Sequence, residues 1–250
     1  LMTPDITGNI KLAEGAFALT SNPTLVEKIF LGLQLNGQQA ELDGQWHMGD
    51  GQAIVNGQLY WPNGQVSGEI NVKGNKLGVI QPPIAILDVS PDVNIKFDHQ
   101  QVAVKGSVNV PSGQIKIMQL SEGGVPLSSD VVFNDSISEL EVQTSPYAIV
   151  ADINIVVGKE LSIDGMGLTG KLSGNLRLQQ QAFKPPLLFG DIKVNKGNYK
   201  FMGQTLKINA GEVQFVGPVE VPNLNIEAVR EIKDEDITAG VRVTGTAMRP

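Results

Sequence analysis

The chain carries a recurring segment in which apolar and polar residues alternate. One segment starts at Gly8, and similar segments start at Gly57, Gly106, Gly190 and Gln204. In each, the third, fifth, tenth and twelfth residues are apolar, apart from one glycine among these twenty positions. Alternation with a period of two residues is typical of half-buried β-strands. The pattern therefore predicts strands with one apolar face and one polar face.

The eighth position of every copy is glycine: Gly15, Gly64, Gly113, Gly197 and Gly211. In two copies this glycine follows Pro-Asn or Pro-Ser, which suits a tight turn. We therefore predict that each copy is a hairpin with a four-residue loop, pairing the fifth residue with the tenth and the third with the twelfth. This register puts the apolar side chains on one face, whereas a three-residue loop would scatter them over both.

Similar alternation continues between the copies, and no convincing helix is predicted. Residues 23–35 are the one stretch where a helix competes, but their apolar residues alternate better than they follow a 3.6-residue period. Pro, Gly, Ser and Gln predict loops at 81–83, 121–129 and 181–186. We expect an all-β fold in which residues 1–250 form one continuous unit, a fragment of a larger protein that allows a bend near 81–90.

Composition and charge narrow the range of functions. The 19 Lys and Arg against 26 Asp and Glu give a formal net charge of −7, which argues against a nucleic-acid partner. There is no cysteine, and therefore no disulfide or thiolate metal site. No apolar run approaches the roughly 20 residues that a membrane-spanning helix needs.

The candidate catalytic and ligand motifs are weak. GMGLTG at residues 165–170 spells a dinucleotide fingerprint, but the residues after it alternate like a strand, whereas the fingerprint needs a helix there. His47 and His99 lack the spacing of a triad or a metal site. The acidic residues near Glu231 lack the pattern of a calcium loop. We therefore predict no enzyme activity, no catalytic residue, no metal site and no cofactor.

The apolar face itself is then the distinctive feature. A long sheet without helices must fold on itself, pack on another sheet or hold something apolar. The alternation alone allows a filled core, as in a sandwich or solenoid, or an accessible groove.

Several segments resemble the C-terminal region of the TamB family. They are VPSGQIKI at 110–117, LSSDVV at 127–132, GEVQFVGP at 211–218, PNLNIEA at 222–228 and AGVRVTG at 239–245. The resemblance is strongest from residue 89 to residue 250, and only the strand texture matches before that. These are fold motifs and not active-site motifs.

The resemblance implies a β-taco, which is a curved sheet folded lengthwise into a groove or open half-barrel with an apolar interior. It implies a periplasmic protein that moves phospholipid between the inner and outer membranes and supports outer-membrane protein assembly. The implied partners are phospholipid acyl chains and a TamA-like outer-membrane protein of the Omp85 type. The implied attachment to the inner membrane of a Gram-negative bacterium lies outside this chain.

The residues expected to line a lipid-binding groove are the apolar positions of three repeat copies and of a following strand. They are Val108, Val110, Ile115, Ile117, Ile192, Val194, Tyr199, Phe201, Leu206, Ile208, Val213, Phe215, Leu224 and Ile226. Two other functions stay open. One is a chaperone-like scaffold whose edge strands pair with barrel proteins or with the TamA partner. The other is an inert structural rod with a filled interior.

Overall fold

The computed structural model describes residues 4–19, 22–81, 85–117, 147–165, 167–201, 203–232 and 237–246. Their strands are β1 (Ile6–Leu19), β2 (Asn22–Gly37), β3 (Gln39–Met48), β4 (Gly51–Tyr60), β5 (Ser67–Asn75), β6 (Leu77–Gln81), β7 (Ala85–Phe97), β8 (Gln101–Ile117), β9 (Ala148–Gly165), β10 (Leu168–Gln180), β11 (Leu187–Phe201), β12 (Gln204–Pro218), β13 (Asn223–Ile232) and β14 (Ile237–Thr246). These residues form no α-helix, only one 3₁₀ turn at Pro62–Gly64. The all-β prediction is confirmed, and the competing stretch 23–35 lies in β2.

All fourteen strands belong to one open sheet. Its order follows the chain from β1 to β5 and from β7 to β14, while β6 lies off this path and pairs with β7. Neighbouring strands are antiparallel, except that β8 and β9 are parallel over their whole length. No helix in the described ranges is long and apolar enough to cross a membrane.

A line of irregular pairings crosses the sheet and divides its long strands into two parts. The register shifts next to Val89 in β7, at Pro111 in β8, near Ser173 in β10 and at Asn209 in β12. We call this line the crease. The part of the sheet that contains residues 101–110 of β8 is the long wall, and the part that contains residues 112–117 is the short wall. Side chains from both walls pack together at the crease, so the sheet is folded along it.

The predicted hairpins are confirmed in one copy and wrong in four. In the copy that starts at Gly57, Leu59 pairs with Gly68, as expected for a four-residue loop. In the others the chain runs through the eighth-position glycine as one continuous strand, in β1, β8, β11 and β12. An irregular pairing near that glycine supplies one extra residue, and this restores the apolar side chains to one face just as the loop would have done.

Within the described residues, no second sheet lies over the apolar face. Every described strand belongs to the same sheet, and among the described residues no large side chain is fully buried. A sandwich core would contain such side chains. In the described part of the chain the apolar face is therefore an accessible groove, as the fold prediction required, and not a filled core.

The short wall contains one junction without a main-chain ladder. Strand β6 fills the gap left by the shorter strands β3, β4 and β5, and its free side faces the first residues of β2. The N–H of Ile80 donates to Oγ1 of Thr24 at 2.8 Å, and the Thr24 hydroxyl donates to the carbonyl of Ile80 at 3.2 Å. Thr24 is the one buried polar side chain among the described residues. Its hydroxyl thus replaces backbone pairing between β2 and β6.

Glycine is required where neighbouring strands come closest. A Cβ built on Gly174 of β10 would lie well inside contact distance of the Asp191 carbonyl oxygen and 2.9 Å from the Cα of Ile192 in β11. At Gly78 of β6 the nearest atom would be the Cα of Gly49 at 3.4 Å, an ordinary contact. A side chain at Gly174 therefore forces two strands apart, whereas one at Gly78 does not.

We expect Gly174→Ala to lower the free energy of unfolding by about 2 kcal/mol or more, because backbone strain of this kind outweighs the entropy that alanine saves. The matched change Gly78→Ala should leave it within about 0.5 kcal/mol. Urea unfolding followed by circular dichroism measures both. Equal stability of the two variants would contradict the close approach of β10 and β11.

We expect Thr24→Val, which keeps the shape of the side chain, to cost about 1–2 kcal/mol because it leaves the partly buried N–H of Ile80 without its acceptor. Hydrogen exchange should show faster exchange of the Ile80 amide and little change in β10. Thr205→Val, at an exposed position of β12, is the control. Unchanged exchange at Ile80 would show that the hydroxyl does not hold the junction.

Candidate functional site

The inner face of the sheet is lined by apolar side chains and glycine. One row of cross-strand partners crosses eleven strands without a polar side chain. It consists of Leu12, Leu31, Gly44, Val55, Val72, Val93, Gly106, Ile153, Leu178, Leu188 and Gly217. A surface of this kind offers dispersion contacts and apolar burial but no directional bonds.

The floor of the groove is a cluster of four buried residues at the crease: Val110, Val157, Leu161 and Leu172. Leu87, Ile115 and Ile163 pack against it from the short wall. Val108, Ile155 and Ile192 pack against it from the long wall. The floor thus joins the two walls and leaves the apolar residues further from the crease facing the open groove.

A second cluster lies along the crease toward β14. Leu206, Ile208 and Ala228 are buried there, and residues from β10 to β14 pack against them. Val194 contacts both this cluster and the floor. The two clusters therefore form one continuous apolar strip along the crease from β7 to β14.

The structure places the residues predicted for the groove as follows. Val108, Val110, Ile115, Ile192 and Val194 belong to or pack on the floor; Val194, Tyr199, Leu206, Ile208 and Ile226 belong to or pack on the second cluster. Three further residues are half-buried on the same face: Val213, Phe215 and Leu224. They belong to neither cluster because they lie on the long wall, further from the crease. The side chains of Ile117 and Phe201 lie outside the described set.

Three of the four floor residues were missed by the sequence analysis: Val157, Leu161 and Leu172. They lie in β9 and β10, which contain no copy of the repeat. The alternation of Ile153, Ile155 and Val157 was a usable signal, because it has the same period of two. The glycine-centred copies do not extend into β9 or β10, so the repeat does not identify these residues.

The outer face is mainly polar, and cross-strand side-chain hydrogen bonds link its strands. Nδ2 of Asn94 donates to Oδ1 of Asn71 at 2.8 Å, and Nδ2 of Asn71 donates to Oδ1 of Asn56 at 3.3 Å. These three asparagines are successive partners on β4, β5 and β7. These hydrogen bonds pair the side-chain amides of the three asparagines with one another. This part of the outer face therefore needs no covering layer and remains in water.

An ion pair joins β9 and β10 on the outer face. Nε and Nη2 of Arg177 donate to Oδ1 and Oδ2 of Asp152, each at 2.8 Å. This bidentate contact holds the pKa of Asp152 below its ordinary value and raises that of Arg177. Both side chains are substantially exposed, so water and salt weaken the pair.

The motifs set aside in the sequence are placed as follows. Gly165 and Gly167 lie at the turn between β9 and β10, and residues 171–178 are strand, as predicted.

His99 is exposed in the β7–β8 turn. His47 is half-buried on β3, and its Nδ1 finds no partner in the described part of the chain. The described residues include no group of His, Cys, Asp or Glu that could hold a metal ion. The acidic side chains near Glu231 and the loop at 121–129 lie outside the described set.

Comparison with known proteins finds similarity to a protein family and to a curated relative. The model of the TamB C-terminal domain matches residues 43–250. The translocation and assembly module subunit TamB of Haemophilus influenzae is 33% identical over 265 residues. That alignment covers 100% of this chain and 20% of the Haemophilus protein, so the chain spans about a fifth of that relative's length.

We expect Asp152→Asn to lower stability at neutral pH and to have little effect in acid. A carboxylate whose folded pKa is depressed contributes stability above its unfolded pKa, near 3.9, and loses that contribution as pH falls through the lower folded pKa. Urea midpoints of wild type and variant should therefore converge below about pH 4. A difference that stays constant from neutral to acid pH would contradict this assignment.

Proposed function

The chain belongs to the TamB family through its C-terminal domain, and we propose that its groove carries phospholipid acyl chains between the inner and outer membranes of a Gram-negative bacterium. The observation that carries the proposal is the open groove with its apolar floor and walls. No bond is made or broken in this role.

The uniformity of the lining supports transport over fixed binding. Each methylene that leaves water contributes about 0.8 kcal/mol, so a long acyl chain is held firmly in aggregate. The cross-strand row through Val55 and Ile153 presents no hydrogen-bonding side chain that would favour one position of the chain. An acyl chain can therefore move along the groove without breaking a specific contact.

The setting of the proposed role follows from family membership. We propose that the chain works in the periplasm as part of a translocation and assembly module, the assembly for which the Haemophilus relative is named. In this proposal a TamA-like outer-membrane protein is the partner, and a segment outside this chain attaches the protein to the inner membrane. In the same proposal, the protein also supports the assembly of outer-membrane proteins.

A second candidate function has its own structural support. Among the described strands, β1 pairs with β2 alone and β14 with β13 alone, so within the described residues each has one backbone edge without a neighbouring strand. Ile10 and Phe17 of β1 are also largely exposed. Unpaired, apolar edges can accept another strand, which is the contact that a scaffold for barrel proteins would use.

We expect a photoreactive amino acid in place of Phe215 to crosslink phospholipid, and the same amino acid in place of Val216 to crosslink little. Phe215 lies on the inner face next to Gly190 in the cross-strand register, whereas its neighbour Val216 is 57% exposed on the outer face. Mass spectrometry of the irradiated protein identifies the adducts. The two positions differ by one residue in the same strand, so they form a matched pair.

Substitution tests the same surface without a crosslinker. Val213→Asp should reduce co-purifying phospholipid severalfold, because a charged group in the groove must be desolvated when a chain enters. Val216→Asp should leave the amount unchanged. Wild-type protein without lipid, or equal loss in both variants, would refute the groove as the lipid surface. Crosslinks to unfolded outer-membrane protein along β1 that survive Val213→Asp would instead favour the scaffold.

A further inference from the structure

A separate cavity of about 530 Å³ opens at the edge of the long wall, where strands end and reverse. Three chain segments meet there: the turn after β4, the turn between β7 and β8, and the residue that leads into β9. Its apolar part consists of Val66, Phe97, Val102 and Tyr147. Asp98 and His99 supply its charged and polar side chains.

The cavity is continuous with the groove. Phe97 pairs with Val102 on one side and with Gly68 on the other, in the row of inner-face residues nearest this edge. A Cβ on Gly68 would lie 3.0 Å from Cζ of Phe97, so the ring rests directly against that glycine. The apolar lining of the long wall thus extends through Phe97 into the cavity.

Backbone hydrogen bonds hold the polar end of the cavity in place. The N–H groups of Gln100 and Gln101 each donate to Oδ1 of Asp98 at 2.8 Å. The N–H of Ala148 donates to the carbonyl of Gln100 at 2.8 Å, which fixes the start of β9 beside the same turn. The two bonds to its carboxylate hold the pKa of Asp98 below its ordinary value, so Asp98 is an anion at neutral pH.

The combination of groups selects one kind of ligand. An anionic carboxylate with the aromatic rings of Phe97 and Tyr147 favours a cation, because both the charge and the ring faces attract it. No lysine or arginine is among the described residues that line the cavity, so the lining offers no permanent cation to a headgroup that is anionic overall. The adjoining groove favours acyl chains. The ligand that satisfies both parts is an amphiphile whose headgroup carries a cationic group.

We propose that this cavity binds the headgroup of a phospholipid that carries an ammonium group, while its acyl chains extend into the groove. The inference rests on the proposed function and adds to it a place where the lipid is held and a preference among lipids. The ammonium group lies near Asp98 and the aromatic rings, and the glycerol and upper acyl carbons lie on Val102 and Phe97.

The test uses vesicles that contain equal amounts of phosphatidylethanolamine and phosphatidylglycerol with the same acyl chains. The protein is incubated with them and reisolated, and the ratio of the two bound lipids is measured by mass spectrometry. Wild type should be enriched in phosphatidylethanolamine by about two- to fivefold, because an exposed ion pair discriminates only modestly.

Two variants assign the preference to the cavity. Asp98→Asn removes the charge but keeps an oxygen that accepts from Gln100 and Gln101, so the turn is retained, and its bound ratio should fall to that of the vesicles. Phe97→Leu keeps the apolar contact and should lower the preference in part. The control Glu220→Gln, in the turn after β12 at the same edge, should bind like wild type.

The possible outcomes distinguish failure of the headgroup site from failure of the lipid groove. Lipid binding with no headgroup preference in wild type, or with the preference intact in Asp98→Asn, overturns the headgroup site and leaves the lipid groove standing. An equal loss in Glu220→Gln also overturns it, since the effect would then be one of general charge. A wild type that binds neither lipid overturns the proposed function and this inference with it.

Discussion

The structure depends on how a strand can fold over without turning its apolar side chains outward. Side chains alternate with a period of two, so a strand that continued regularly through the crease would place the last apolar residues of each repeat on the polar face. One extra residue at the crease moves every following side chain to the opposite face of the strand. In β8 this occurs at Val110 and Pro111, which together lie opposite the single residue Val89 of β7, and it brings Ile115 back to the face of Val108. The floor of the groove is continuous because β8, β11 and β12 make this correction, while β7 and β10 keep a regular period of two across the crease.

The same constraint explains why the groove stays open. The apolar side chains meet across the crease and stabilise its floor, but the walls diverge from there, and no second layer of described strands covers them. The stability of the sheet must then come mainly from three sources. They are the backbone hydrogen bonds between strands, side-chain hydrogen bonds such as that between Asn71 and Asn94, and apolar packing in the floor. Where the backbone ladder is missing, at β6, a buried threonine hydroxyl takes its place. An interior that the described residues leave unfilled is available to a ligand.

The sequence allowed the fold class and the shared apolar face to be predicted, since both follow from period-two alternation. It could not distinguish a hairpin from a bulged strand, because a four-residue loop and a one-residue insertion restore the same parity. Pro62 and Pro111 occupy equivalent positions, yet the first lies in a turn and the second in a strand with partners on both sides. The neighbouring strands decide this outcome, and they are remote in sequence. The parallel pairing of β8 with β9 depends likewise on remote partners.

The chemistry of the lining also determines where selectivity can reside. A wall of valine, leucine, isoleucine and glycine distinguishes an acyl chain from water but scarcely one phospholipid from another, because the lipids differ in their headgroups. Discrimination requires charged, aromatic or hydrogen-bonding groups at the position where a headgroup lies, which is the edge of a groove whose interior holds the chains. Asp98 and Tyr147 lie at such an edge, next to apolar residues that continue into the long wall. A groove of this design can therefore combine unselective passage along its length with selection at one point on its border.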